Sequence, residues 1–171
     1  SDGDGYGDPG TTELSCGSIP GLTSDGTDCD DGNSDVHPGA EEECDGIDND
    51  CDYLVDADDS DTTAVDAGIM AQDEVWTAAD SPYCFTGDVQ LAHGYTLVME
   101  EGVKVGGVGH SIEVYGTLQV EGTETDRVHI SDLHIKPGPS STSLFLMDIS
   151  YAYMEGGGLY QFKHLSFQEG L

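Results

Sequence analysis

The chain has 171 residues and a formal charge of −31, with four Lys and Arg against 35 Asp and Glu. A surface this poor in cations cannot neutralise a phosphate backbone, which excludes nucleic acid as a partner and disfavours anionic membranes. No stretch approaches the roughly 18 to 20 apolar residues of a membrane-spanning helix, so membrane insertion is not expected, and the length suits one or two small domains.

The charge is unevenly placed. Residues 1–61 carry sixteen Asp, four Glu and no Lys or Arg, while Lys104, Arg127, Lys136 and Lys163 all lie later. This asymmetry predicts two parts of different chemistry, an acidic module over 1–61 and a second segment over 62–171. There is no signal-peptide pattern and residue 1 is Ser. The chain therefore reads as an excised or processed piece, incomplete at its C-terminal end.

Cysteines stand at 16, 29, 44, 51 and 84. The expected pairs are the neighbours Cys16–Cys29 and Cys44–Cys51, although four cysteines allow three connectivities. Disulfides imply an oxidising compartment, hence an extracellular or cell-surface location. Cys84 is left over and is expected as a small buried hydrophobe rather than as a partner for a cysteine outside the chain.

The run "DGIDNDCDYLVDADDSD" places eight aspartates in seventeen residues. An EF-hand-type loop takes oxygen ligands from its first, third, fifth, seventh, ninth and twelfth residues, the seventh through its carbonyl, with glycine at the sixth. Begun at Asp48, this template finds Asp48, Asp50, Asp52, the Leu54 carbonyl, Asp56 and Asp59, with Tyr53 where glycine is expected. Begun at Asp31, it finds Asp31, Asn33, Asp35, the His37 carbonyl, Gly39 and Glu42, with Val36 at the glycine position. At the N-terminus Asp2, Asp4, the Tyr6 carbonyl and Asp8 fit a partial loop, which Asp28 or Asp30 would complete. Two like charges about 5 Å apart repel by roughly 3 kcal/mol at an effective dielectric near 20, so such a module needs cations between its carboxylates to be compact. Calcium suits this all-oxygen set. Magnesium keeps its waters, and zinc would need paired Cys and His ligands at closer spacing.

"DGDGYGDP…C…TDCDDGNSDVHPGAEEECDGIDNDCD" resembles the MopE-type metal-binding repeat, close in logic to thrombospondin type 3 repeats. The resemblance covers Asp2 to about Asp59. It implies a calcium-loaded, disulfide-stapled module with almost no regular secondary structure, from an extracellular protein, often bacterial. The founding family is associated with copper, which prefers imidazole and sulfur. His37 is the only imidazole in residues 1–61, so copper is not carried over.

From Thr62, short alternating runs such as "YTLVMEEGVKV" and "SIEVYGTLQVEG" are punctuated by glycine turns, a pattern that suggests a solenoid. About Glu74 to Leu171 resembles the first coils of a right-handed parallel β-helix from a bacterial surface protein. The inward residues would then be Leu97, Met99, Val103, Val105, Ile112, Val114, Leu118, Val120, Val128, Ile130, Leu133, Ile135, Leu144, Leu146, Leu165 and Phe167, with Trp76 covering the first coil. A small antiparallel sandwich would give similar alternation. An open solenoid end needs a cap, further coils or partner subunits, and a homo-oligomer, with a trimer as first guess, is expected.

No residues form a catalytic motif. Asp132, Asp148, Glu113 and Glu121 can be paired on paper as glycosidase carboxylates, and Arg127 or Lys136 as a lyase base, but such groups are usually solvated. His129 and His134 read as surface histidines, and "KVGGVGH" lacks the lysine and helix of a phosphate loop. The expected fold is mostly β, an irregular calcium- and disulfide-stabilised repeat followed by the β-helix. The expected function is a non-catalytic calcium-binding structural or adhesion module of a secreted or surface protein, its glycan or protein partner unspecified. The competing reading is a carbohydrate-active enzyme or glycan-binding β-helix, with Tyr115, Tyr151, Tyr153, Tyr160 and Phe162 as the available aromatics.

Overall fold

The computed structural model describes residues 2–10, 24–138, 145–150, 152–155, 160–162 and 165–169, with side chains up to residue 138. Alternating apolar residues and glycine turns wind the chain into a β-solenoid of about three turns between residues 63 and 137. The first coil is β1 (Thr63–Val65), β2 (Gly68–Met70) and β3 (Glu74–Trp76), and the second is β4 (Tyr83–Phe85), β5 (Val89–Leu91) and β6 (Thr96–Met99). In the third coil β7 (Lys104–Val114) spans two faces in one bent strand and β8 (Thr117–Glu121) forms the other. β9 (Val128–Pro137) then repeats β7.

The pairings from β1 to β9 are parallel, and their register stacks like on like. Leu97 lies beside Leu118 and Met99 beside Val120. Val89 lies beside Ile112, which lies beside Ile135. Because side chains alternate across a strand, these ladders all point inward and form one core. Each fully buried aliphatic side chain contributes about 1.5 to 3 kcal/mol. Of the predicted inward residues, Leu97 to Leu133 are buried and Ile135 is partly buried. Leu144 lies outside the described residues, as do the side chains of Leu146, Leu165 and Phe167. Trp76 sits in the core, its ring stacked on Tyr83 at 4.5 Å and edge-on to Phe85 at 6.0 Å.

The last strands depart from the expected parallel stack. β10 (Phe145–Ser150) and β11 (Ala152–Glu155) lie parallel to β8 and β9, but β12 (Tyr160–Phe162) and β13 (Leu165–Glu169) run antiparallel to β11 and β10. The connection from Glu155 to Tyr160 is too short for a parallel crossover, which needs a dozen or more residues. A hairpin results, and its return arm brings β13 back along β10.

Among the described residues before Thr63 there is no strand, only a 3-10 turn at Asp56–Asp58. This acidic module docks on the flank of the solenoid. The disulfides are Cys29–Cys51 and Cys44–Cys84, which corrects the expected pairing of sequence neighbours; Cys16 lies outside the described residues. The reason lies in how the loop between Cys44 and Cys51 is built. It is organised by backbone N–H groups that donate to the buried Glu42 carboxylate and Asn49 Oδ1 rather than by its own ends, so one end meets the preceding loop and the other meets β4.

Cys84 is likewise not a core hydrophobe. Strand alternation sends Tyr83 and Phe85 into the core and turns Cys84 outward, where Cys44 covers it completely. On the adjacent strand Gly106 makes the contact possible, since a Cβ there would lie 2.8 Å from Cys44 Cβ and 2.9 Å from its carbonyl oxygen. Gly106 and Gly107 of "KVGGVGH" thus serve packing, the second against Phe85 Cβ, while Gly109 takes a φ of 77°. Lys104 adds ion pairs to Glu41 at 2.9 Å and Glu43 at 3.5 Å.

Candidate metal centre

The alternating aspartates adopt one local geometry repeatedly. One oxygen of each carboxylate accepts the backbone N–H two residues on, an Asx turn. Asp2 takes the Asp4 N–H at 3.3 Å, Asp4 that of Tyr6 at 2.9 Å and Asp28 that of Asp30 at 2.8 Å. Asp50 takes the Asp52 N–H at 3.2 Å, Asp52 that of Leu54 at 2.7 Å and Asp59 that of Asp61 at 3.1 Å. These bonds fix the orientation of each carboxylate through one oxygen, and in Asp2, Asp4, Asp28 and Asp59 the other has no hydrogen-bond partner among the described residues.

Three acidic groups result, each with ligand oxygens within 4.8 Å of one another: Asp2–Asp4–Asp28, Glu42–Asp48–Asp50 and Asp50–Asp52–Asp59. They are not equivalent. Asp59 is 7% exposed, and its Oδ2 is buried with no hydrogen-bond partner among the described residues. The Oδ2 atoms of Asp2, Asp4 and Asp28 are in the same condition. Leaving a buried carboxylate oxygen unpaired costs more than about 1 to 3 kcal/mol, so these oxygens call for a cation.

The Glu42 group is different. Glu42 is fully buried, and its Oε1 accepts the N–H groups of Asn49 and Asp50 while Oε2 accepts that of Asp56 at 3.1 Å. Asp48 accepts from Asp52 through Oδ1 and from Tyr53 through Oδ2. Glu42 is therefore the hub on which the second loop folds, and its oxygens already have partners.

The templates read from the sequence are regrouped accordingly. From the loop begun at Asp48, the structure unites Asp50, Asp52 and Asp59 and sends Asp56 elsewhere, to accept the Gly46 N–H at 2.9 Å. From the loop begun at Asp31, Glu42 has left for the hub, and Asp31, Asn33 and Asp35 join no acidic group among the described residues. Asp31 instead accepts the Asp8 N–H at 3.3 Å, Asn33 that of Asp35 at 3.3 Å, and the His37 carbonyl that of Ala40 at 2.9 Å. In the N-terminal loop it is Asp28 rather than Asp30 that joins Asp2 and Asp4, while Asp30 accepts the Gly32 N–H and Asp8 that of Gly10. The Tyr6 ring stacks on His37 at 5.1 Å. Asn49, Thr62 and Lys104 were not anticipated. Asn49 Oδ1 accepts the Glu43 N–H at 2.9 Å, and the Thr62 hydroxyl donates to the Asp56 carbonyl at 2.6 Å.

Tyr53 supplies the turn that glycine normally makes. Its φ is 79°, in the left-handed region, and its ring is 92% exposed. A tyrosine there is strained by about 1 kcal/mol or more. Tyr53→Gly is expected to stabilise the module by about that amount, read as a higher urea midpoint at unchanged m, because the exposed ring gives up no packing.

The carboxylates also perturb one another. Burial lifts the Glu42 and Asp50 pKa values above the usual carboxylate range. A hydrogen bond with Asp59, aided by burial, pushes Asp61 up from 3.8 to about 6, while the Asp61 backbone N–H holds Asp59 down. A raised folded-state pKa contributes stability that is complete below the unfolded value and is lost as pH rises through the folded one. The opposite contribution of Asp59 changes only below its unfolded value. Between about pH 4 and 6 the ion-free module is thus expected to lose stability as pH rises, whereas a module holding a metal ion, which needs ionised ligands, would gain it. Melting curves across this window in chelator and in calcium should slope in opposite directions.

No helix among the described residues is long and apolar enough to cross a membrane. A family model described as "Putative metal-binding motif", of the Cu-binding MopE type, matches residues 28–57. No curated protein and no solved structure matches the chain. The chain thus contains a metal-binding motif of that type, built on the Glu42 hub, with a β-solenoid after it.

Proposed function

We propose that the acidic module is a calcium-ordered, non-catalytic structural unit of a secreted or cell-surface protein, and that the solenoid serves it as a rigid spacer in adhesion. The observation that carries this reading is the buried, unpartnered Asp59 Oδ2 facing Asp50 and Asp52. The donors are all hard oxygens, which suit calcium at Ca–O distances of about 2.3 to 2.6 Å. Copper would want imidazole or thiolate. The His37 ring stacks on Tyr6, and Cys29, Cys44, Cys51 and Cys84 are all in disulfides. Those disulfides also support a location outside the reducing cytosol.

Calcium titration by calorimetry tests this. Asp59→Asn is expected to weaken one ion at least tenfold. A chain that takes copper but not calcium, or an Asp59→Asn variant that titrates like the parent, would overturn the reading.

A further inference from the structure

Asp2 and Asp4 lie before the matched segment and Asp28 is its first residue. The three come from chain regions more than twenty residues apart, yet their oxygens meet within 4.8 Å. Each has one oxygen committed to a backbone N–H and the other, Oδ2, buried and without a partner among the described residues. Asp28 is only 1% exposed. Three buried carboxylate oxygens aimed at one point, in a region of the sequence with no Lys or Arg, cannot be held together by the protein's own charges.

The backbone around them is built to bring them together. The Asp28 N–H donates to the Gly7 carbonyl at 3.2 Å, and the Asp8 N–H to Asp31 at 3.3 Å. Cys29, next to Asp28, is fixed by its disulfide to Cys51. Gly3 at φ 105° and Gly5 at φ 106° take backbone conformations that side-chain-bearing residues rarely adopt, and they let Asp2 and Asp4 turn to the same side.

We infer that Asp2, Asp4 and Asp28 form a second site for a hard divalent cation, separate from Asp50–Asp52–Asp59, and that the bound ion ties the N-terminal loop to the motif. The inference rests on the proposed function only in taking calcium as the ion. The ion closes the chain between Asp4 and Asp28, so it acts as a cross-link. Asp8 is outside the site: its oxygens do not converge with those of Asp2, Asp4 and Asp28.

The test is calcium titration of the full chain, as the parent, as Asp2→Asn/Asp4→Asn, as Asp59→Asn and as Asp8→Asn. The parent is expected to bind two ions. The double variant should lose one of them, weakened at least tenfold, and keep the one that depends on Asp59; Asp8→Asn should bind like the parent. In the double variant, thermolysin cleavage within residues 2–10 should become independent of calcium. A double variant that binds as many ions as the parent with unchanged affinity overturns the inference and leaves the Asp59 site standing. A parent that binds one ion, lost in the double variant and kept in Asp59→Asn, supports the inference and overturns the proposed function instead. No binding by the parent overturns both.

Discussion

Chelation of divalent cations is expected to melt residues 24–61 while the solenoid stays folded. The two parts are held by different forces. Among the described residues, the solenoid core runs from Val65 to Leu133 and takes no residue from the acidic module, whose buried apolar side chains are Val36 and Cys44. With so few buried apolar side chains among its described residues, the module is expected to depend on its disulfides, the Glu42 hub and bound ions. Each ion contributes about 2.7 kcal/mol when calcium is a hundredfold above its dissociation constant, so two contribute about 5 kcal/mol. That is comparable with the whole stability of a small domain. Scanning calorimetry should show two transitions in calcium, with the first lost in chelator. Hydrogen exchange should place the loss before Thr63. A single transition that ignores chelator would mean that the disulfides and hub suffice.

Removing the second disulfide is expected to free the module from the solenoid without emptying it. Cys44 and Cys84 are 40 residues apart in sequence, and closing a loop of that length restricts the unfolded chain by about 4 kcal/mol. In Cys44→Ser/Cys84→Ser the contact is left to Gly106, which has no side chain, to the Asp56–Asp58 turn lying against β1 and β4, and to the partly exposed Lys104 with two exposed glutamates. Surface ion pairs of this kind contribute about 0 to 1 kcal/mol. Faster amide exchange in β4 and β7, with calcium affinity within about threefold of the parent, is the expected outcome. A large loss of calcium affinity would mean that docking shapes the sites, and that Glu42 and Asn49 do not organise the loop alone.

Much of this was legible in the sequence because the chemistry repeats at short range. Alternating aspartates announce clusters of carboxylates that could hold a metal ion, and inward Leu, Ile and Val at period two announce the coils. What the sequence hid is long-range. A ligand template assumes that each loop closes on itself, yet Glu42 left its own loop to organise the next one, and Asp28 completed a loop that began at Asp2. The cysteine pairing failed for the same reason. One local clue was present: Cys84 lies between Tyr83 and Phe85, so if both aromatics face the core, the cysteine faces out and needs a cover. Tyr53 shows the reverse case, in which the expected glycine is absent but its backbone conformation is kept.

The Cys44–Cys84 bond also decides how the molecule carries tension. A pull on the chain ahead of Cys29 and behind the solenoid's second coil would be transmitted through Cys29–Cys51, back along the short stretch to Cys44, and across to Cys84. The stretch from Ser60 to Trp76, including the whole first coil, is bypassed by that covalent route. A pull at those two points cannot peel it away until a disulfide is broken, so the first coil lies off the covalent load path, and the acidic module, stapled at both ends, would bear the strain in its place.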